Sequence, residues 1–181
     1  MGKLIVGVIL GVIIVPIAFY LYCKSGTAPA AASDPPLPME KKFASAALHA
    51  AVDRQAPKTV PIQADEGNLV AGAHVYRDNC AVCHGLPGEK APAMASLMFP
   101  QAPQLFEKKH MVTDDPPSET YWKARNGIRL SGMPGFQTAL SDEQLWQVSL
   151  LLAGADKLPP AAQQALTAST SAAADTTHPA Q

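Results

Sequence analysis

A chain of 181 residues with a formal net charge of −1 has room for one ordinary domain plus extensions, and its near-neutrality gives no electrostatic reason to expect a nucleic-acid partner. Its 17 prolines and many alanines favour extended segments over a larger core.

The N-terminus comes first in chain order. Leu4 to Tyr22 carries no charge and is bracketed by Lys3 and Lys24, with Tyr20 and Tyr22 placed as an aromatic belt. A helix needs about 20 such residues to cross a hydrocarbon core of ~30 Å. The run therefore predicts a membrane anchor over residues 1–24. A cleaved signal peptide would have a shorter apolar region ending in small residues, whereas this one ends Phe19-Tyr20-Leu21-Tyr22-Cys23. Lysines on both flanks leave the charge rule for orientation indecisive.

Residues 25–65 are expected to be a linker. Pro35-Pro36 and Pro38 stiffen its first part. Glu40 to Gln55 turns helix-friendly, with Phe43, Ala47, Ala50 and Ala51 at helical spacings. His49 lies inside that short helix and is expected on its solvated face. Pro57 and Pro61 then break it.

The globular part is predicted over residues 66–155. Leu69, Gly72, Ala73 and Tyr76 fall at i, i+3, i+4 and i+7, one apolar helical face, which Cys80 continues a turn later. Cys80-Ala81-Val82-Cys83-His84 follows, the spacing of a covalent haem site. On a short helical turn the two sulfurs each reach one vinyl group, and His84 lies beneath the iron. A structural zinc site wants four ligands, and the only other cysteine, Cys23, is remote in the chain. A thioredoxin-type dithiol should follow a strand, but here a helix precedes it.

Pro116 to Asn126 reads as a middle helix, with Asp115 as cap, Pro116 at the first position and Gly127 as the stop. Met94, Met98, Met111 and Met133 all follow the attachment site. Met133 stands out because Ser131-Gly132-Met133-Pro134-Gly135-Phe136 shapes a loop able to hold a thioether over the ring, and His/Met ligation suits a low-spin electron-transfer iron. The other methionines lack such a setting and are expected to fill gaps. His110, among Glu107, Lys108 and Lys109, is expected in an exposed loop.

The last helix opens with a capping box, Ser141 with Gln144, and Asp142 and Glu143 suit its first turn. Leu145, Val148 and Leu152 form its apolar stripe beside Trp146, and Gly154 ends it. Its expected partner is the Gly72/Tyr76 face. No segment alternates as a strand, so the fold class is all-α. Residues 156–181, rich in Ala, Thr, Ser and Gln, are expected to be a disordered tail in which His178 does nothing.

Three motifs together resemble the small monohaem class I c-type cytochromes in a membrane-anchored bacterial form. They are Gly72-x3-Tyr76-x3-Cys80-x2-Cys83-His84-Gly85, Asn126-Gly127-Ile128-Arg129 leading into Gly132-Met133-Pro134, and Leu140-Ser141-Asp142-Glu143 with Trp146. The resemblance implies the cytochrome c fold, three to four helices around one covalently bound haem c. Cys80 and Cys83 would carry the thioethers, with His84 and Met133 as axial ligands. It further implies that the Pro103 carbonyl accepts a hydrogen bond from the proximal imidazole, and that Trp122 or Arg129 contacts a haem propionate. Attachment outside the cytoplasmic membrane places the haem domain in the periplasm, held at the bacterial inner membrane as a single-pass protein. The function implied is one-electron transfer between redox protein partners, without catalysis at the iron. The alternatives are a haem subunit of a membrane dehydrogenase or oxidase complex, and a peroxidase-like or ligand-sensing protein in which Met133 leaves the iron.

Overall fold

The computed structural model describes residues 1–168 and contains only helices and loops among them. The chain divides into two compact units, residues 1–44 and 45–181. In the first, α1 (Gly2–Lys24) has no buried residue and is long and apolar enough to cross a membrane. Pro16 lies within it without ending it.

The second unit is built on three longer helices, α3 (Glu66–Asn79), α6 (Pro117–Asn126) and α7 (Asp142–Ala153). Two single turns, α4 (Ala81–His84) and α5 (Ala93–Ser96), lie between α3 and α6. α7 packs against both α3 and α6. On α3 the close approach is made at Gly72, where a Cβ would run into the backbone carbonyl of Gln147 and touch Leu151. Tyr76 and Leu151, both fully buried, seal the seam beside it. The α6–α7 seam is aromatic: Tyr121 stacks on Trp146 with ring centroids 4.1 Å apart, and the Tyr121 hydroxyl donates to Asp142 Oδ1 at 2.9 Å.

Local signals set where these helices begin. Asp65, which the sequence reading passed over, caps α3 by accepting from Asn68 N at 2.8 Å. At α7 the expected capping box is complete, with Ser141 Oγ accepting from Gln144 N at 3.2 Å and Gln144 Oε1 accepting from Ser141 N at 2.9 Å. Ser141→Ala removes one half of this box and should lower the unfolding free energy by about 1 kcal/mol, measurable by thermal or denaturant melting. The middle helix starts one residue later than expected. Pro116 is its cap and Pro117 its first residue, while Asp115 instead pairs with Lys123 Nζ at 3.7 Å. Pro116 is extended, ψ 137°, as a residue before proline must be.

Two expectations about domain limits are corrected. The linker does not run to residue 65. α2 (Glu40–Gln55) was anticipated, but its packed face is Leu48, Val52 and Ala56 rather than Phe43, which is 70% exposed. Val52 is buried, and Ile62 packs on the Tyr121/Trp146 cluster, so this stretch belongs to the globular unit. Alanine-rich sequence gives a helix no strong stripe of its own, so the packed face is chosen by the surface it meets.

The tail is likewise not disordered from residue 156. Leu158 is buried, and α8 (Pro160–Thr167) lays Ala162, Ala165 and Leu166 against α3 beside Val75. Arg77 Nη1 donates to the Ala165 carbonyl at 3.1 Å, tying down one of the carbonyls that the end of α8 leaves open. Small side chains that read as low complexity here fill a shallow groove. His178 lies outside the described residues.

Candidate functional site

Cys80 ends α3 and starts α4, so the chain passes from one helix to the next without a loop. The Cys80 carbonyl accepts from Cys83 N at 3.1 Å and from His84 N at 2.9 Å. Residues i, i+3 and i+4 of such a turn share a face, which brings Cys80, Cys83 and His84 together. Gly85 then turns the chain away at φ +71°, and its carbonyl is held by the buried Tyr76 hydroxyl at 2.8 Å. Tyr76 is itself braced edge-on by Phe106, ring centroids 5.1 Å apart.

The His84 ring is oriented by Pro103, with Nδ1 2.8 Å from the Pro103 carbonyl. A carbonyl can only accept, so Nδ1 carries the proton and Nε2 keeps its lone pair. Burial depresses the His84 pKa, against a smaller upward pull from this hydrogen bond, so the imidazole is neutral at neutral pH. Gln104, a neighbour of Pro103 to which the sequence alone assigns no role, holds Pro103 in place. Its side chain occupies the space a Cβ on Gly85 would take, and its Nε2 lies 3.4 Å from the Ala102 carbonyl and 3.5 Å from that of Cys83. A glutamine beside a proline carries no motif, so only the folded loop reveals this brace.

Cys80 and Cys83 are not joined in a disulfide. Burial, with Cys83 adding a smaller term of the same sign, pushes the Cys80 thiol up to about 12, so it is protonated. Zinc and other divalent ions bind thiolates, and among the described residues no cluster of three or more His, Cys, Asp or Glu is placed to hold a metal ion. Two cysteine thiols and a neutral imidazole on one helical turn are the donor set of a covalent porphyrin. The residues fit haem c.

Met133 lies on the loop that follows α6. Gly127, at φ +71°, leaves the helix, and a Cβ there would strike Gly135 N and the Met133 carbonyl. The loop folds back on the helix end: Phe136 N donates to Ala124 O at 2.9 Å and Gln137 N to Arg125 O at 3.2 Å. Within it Ile128 N donates to the Met133 carbonyl at 3.1 Å, and the Ser131 hydroxyl accepts from Met133 N at 3.2 Å. The half-buried Met133 is therefore fixed by its backbone on both sides.

The remaining expected residues fall in different places. The Trp122 indole N–H lies 3.3 Å from Gln55 Oε1, which takes that donor away from the propionate expected for it. Arg125 is engaged by Gln137 Oε1 at 3.1 Å and by Asp142 at 3.7 Å. Arg129 is exposed and makes no side-chain hydrogen bond or ion pair among the described residues. His49 is exposed, while His110 is half-buried with Nδ1 3.6 Å from the Glu107 carboxylate.

An all-helical unit that presents Cys-x-x-Cys-His on the turn directly after α3 has the attachment site of a c-type cytochrome domain, a haem c electron-transfer module. Residues 67–150 match the family described as cytochrome C oxidase, cbb3-type, subunit III. Over 91 residues, 46% of this chain and 17% of the relative, the chain is 36% identical to the alcohol dehydrogenase (quinone), cytochrome c subunit, of Gluconobacter oxydans (strain 621H). No solved structure matches significantly.

Proposed function

We propose that the chain is a membrane-anchored, single-haem electron carrier of the bacterial inner membrane, its haem domain in the periplasm. Cys80 and Cys83 would hold the porphyrin covalently, and His84 and Met133 would ligate its iron. The observation that carries this reading is the His84–Pro103 hydrogen bond, which leaves Nε2 as the one basic nitrogen beside the two thiols. When bound, the haem supplies one-electron cycling of its iron between Fe(III) and Fe(II).

The protein's residues do the rest. Pro103 fixes the ring angle of His84 and raises its basicity as a ligand. Met133 would supply the second protein ligand to the iron, which would exclude direct binding of substrate there and favour the reduced state. Tyr76 and Gln104 lock the backbone between the attachment turn and Pro103, so little needs to move when charge changes. α1 confines the module to the membrane near its redox partners and raises its effective concentration there.

Intact-mass measurement of protein from a host competent in haem attachment is the decisive test. The native protein should exceed its 19.0 kDa polypeptide mass by one haem, and Cys80→Ala with Cys83→Ala should return the bare-chain mass. Native material at the bare-chain mass refutes the proposal.

A second reading, a haem subunit of a membrane dehydrogenase complex, draws support from the name of the Gluconobacter relative. Gentle solubilisation separates the two: a free carrier migrates alone, and a subunit migrates with a larger oxidoreductase.

A further inference from the structure

Met98 is one of the methionines that sequence alone leaves as gap-filling. In the fold it is half-buried, and its side chain seats on Gly132, the residue before Met133. The three atoms nearest to where a Gly132 Cβ would be are Met98 Sδ, Cγ and Cβ. Gly132 does not adopt a positive φ. Its lack of a side chain thus serves space, and the occupant of that space is the Met98 thioether.

The segment bearing Met98 has a second attachment. Met98 follows α5 by two residues, and α5 packs against α4, the turn that carries Cys83 and His84. The Met133 loop is otherwise thinly covered. Arg129, Leu130, Gly132, Pro134 and Gly135 are exposed, and Leu130 stands 91% exposed at φ +59°, so its own large apolar side chain does not anchor it. Besides its internal bonds, its backbone bonds to α6 and the packing of Phe136 on the Tyr121/Trp146 cluster, the loop is held by the Met98 contact.

Resting on the ligand assignment above, we propose that Met98 is a positioning residue for Met133. It braces the loop from the side of the attachment turn and holds the Met133 sulfur against the iron. Met98 is not itself a ligand in this assignment: its sulfur lies against Gly132. An apolar side chain of this length suits the role because it can adapt to a glycine surface.

The test uses the full-length holoprotein and three variants: Met98→Ala, Met98→Leu and Gly132→Ala. Gly132→Ala displaces only the flexible end of Met98, so it removes the brace with the rest of the fold in place. The readouts are cyanide affinity of the ferric protein, midpoint potential, and the weak absorbance at the red end of the visible spectrum that accompanies methionine ligation. Met98→Ala and Gly132→Ala should each tighten cyanide binding roughly tenfold, the scale on which contacts behind a metal ligand act. Both should lower the midpoint potential and weaken the red band without abolishing it, and Met98→Leu should restore native values. Unchanged cyanide affinity and potential in both Met98→Ala and Gly132→Ala overturns the proposal while leaving Met133 as ligand. A red band lost in Met98→Ala but kept in Met133→Ala overturns both assignments. Should Met98→Ala fail to accumulate with haem, Gly132→Ala decides alone.

Discussion

Replacing Gly72 by alanine is expected to destabilise the domain by about 2 kcal/mol, although alanine is the better helix former. The propensity gain is at most ~1 kcal/mol. Against it stands the collision of the new Cβ with the Gln147 carbonyl, a backbone atom that cannot rotate away, and with Leu151. Overpacking of that kind costs ~3 kcal/mol when the backbone must shift. The melting temperature should therefore fall by roughly 10 °C. Gly67→Ala, in the first turn of the same helix, is the matched control. Its Cβ would meet only Asp65 Oδ1 at an ordinary 3.4 Å, so stability should hold or rise slightly. Equal effects of the two substitutions would mean that α3 and α7 do not cross at Gly72.

Met133→Ala carries the largest expected functional change. Alanine keeps the loop's backbone bonds, since Ile128 N donates to a carbonyl and Ser131 Oγ accepts from an amide that any residue provides. What is lost is the thioether. The red absorbance should vanish, CO should bind the ferrous protein rapidly, and the midpoint potential should fall by on the order of 0.1 V, part of the ~0.8 V that axial ligands span. Rapid CO binding by the native protein, with no change on substitution, would remove Met133 from the iron and favour the ligand-sensing alternative.

Both predictions concern residues visible in the sequence, and the reason is local. Cys80, Cys83 and His84 interact over one turn, so their spacing alone puts them on one face. The Gly72/Tyr76 stripe, the Ser141 capping box and the Gly127 stop are equally short-range signals. Met133 stands out in the sequence because glycine and proline around it restrict the loop. Hidden from such reading were the contacts of Gln104, Met98 and Gln55, each of which joins segments distant in the chain. α2 and α8 were partly misjudged for the same reason. Ala162, Ala165 and Leu166 bury against α3, yet nothing in their own stretch distinguishes them from alanines facing solvent.

The haem-attachment chemistry, the all-helical class and the apolar N-terminal segment were thus decided by sequence alone, because each depends on residue type and spacing within a few turns. Where the globular unit starts and stops, which face of α2 is covered and which acceptor the Trp122 indole meets were decided by tertiary structure. These depend on which surfaces meet once α3, α6 and α7 have packed, and one-dimensional periodicity carries no information about a partner's shape.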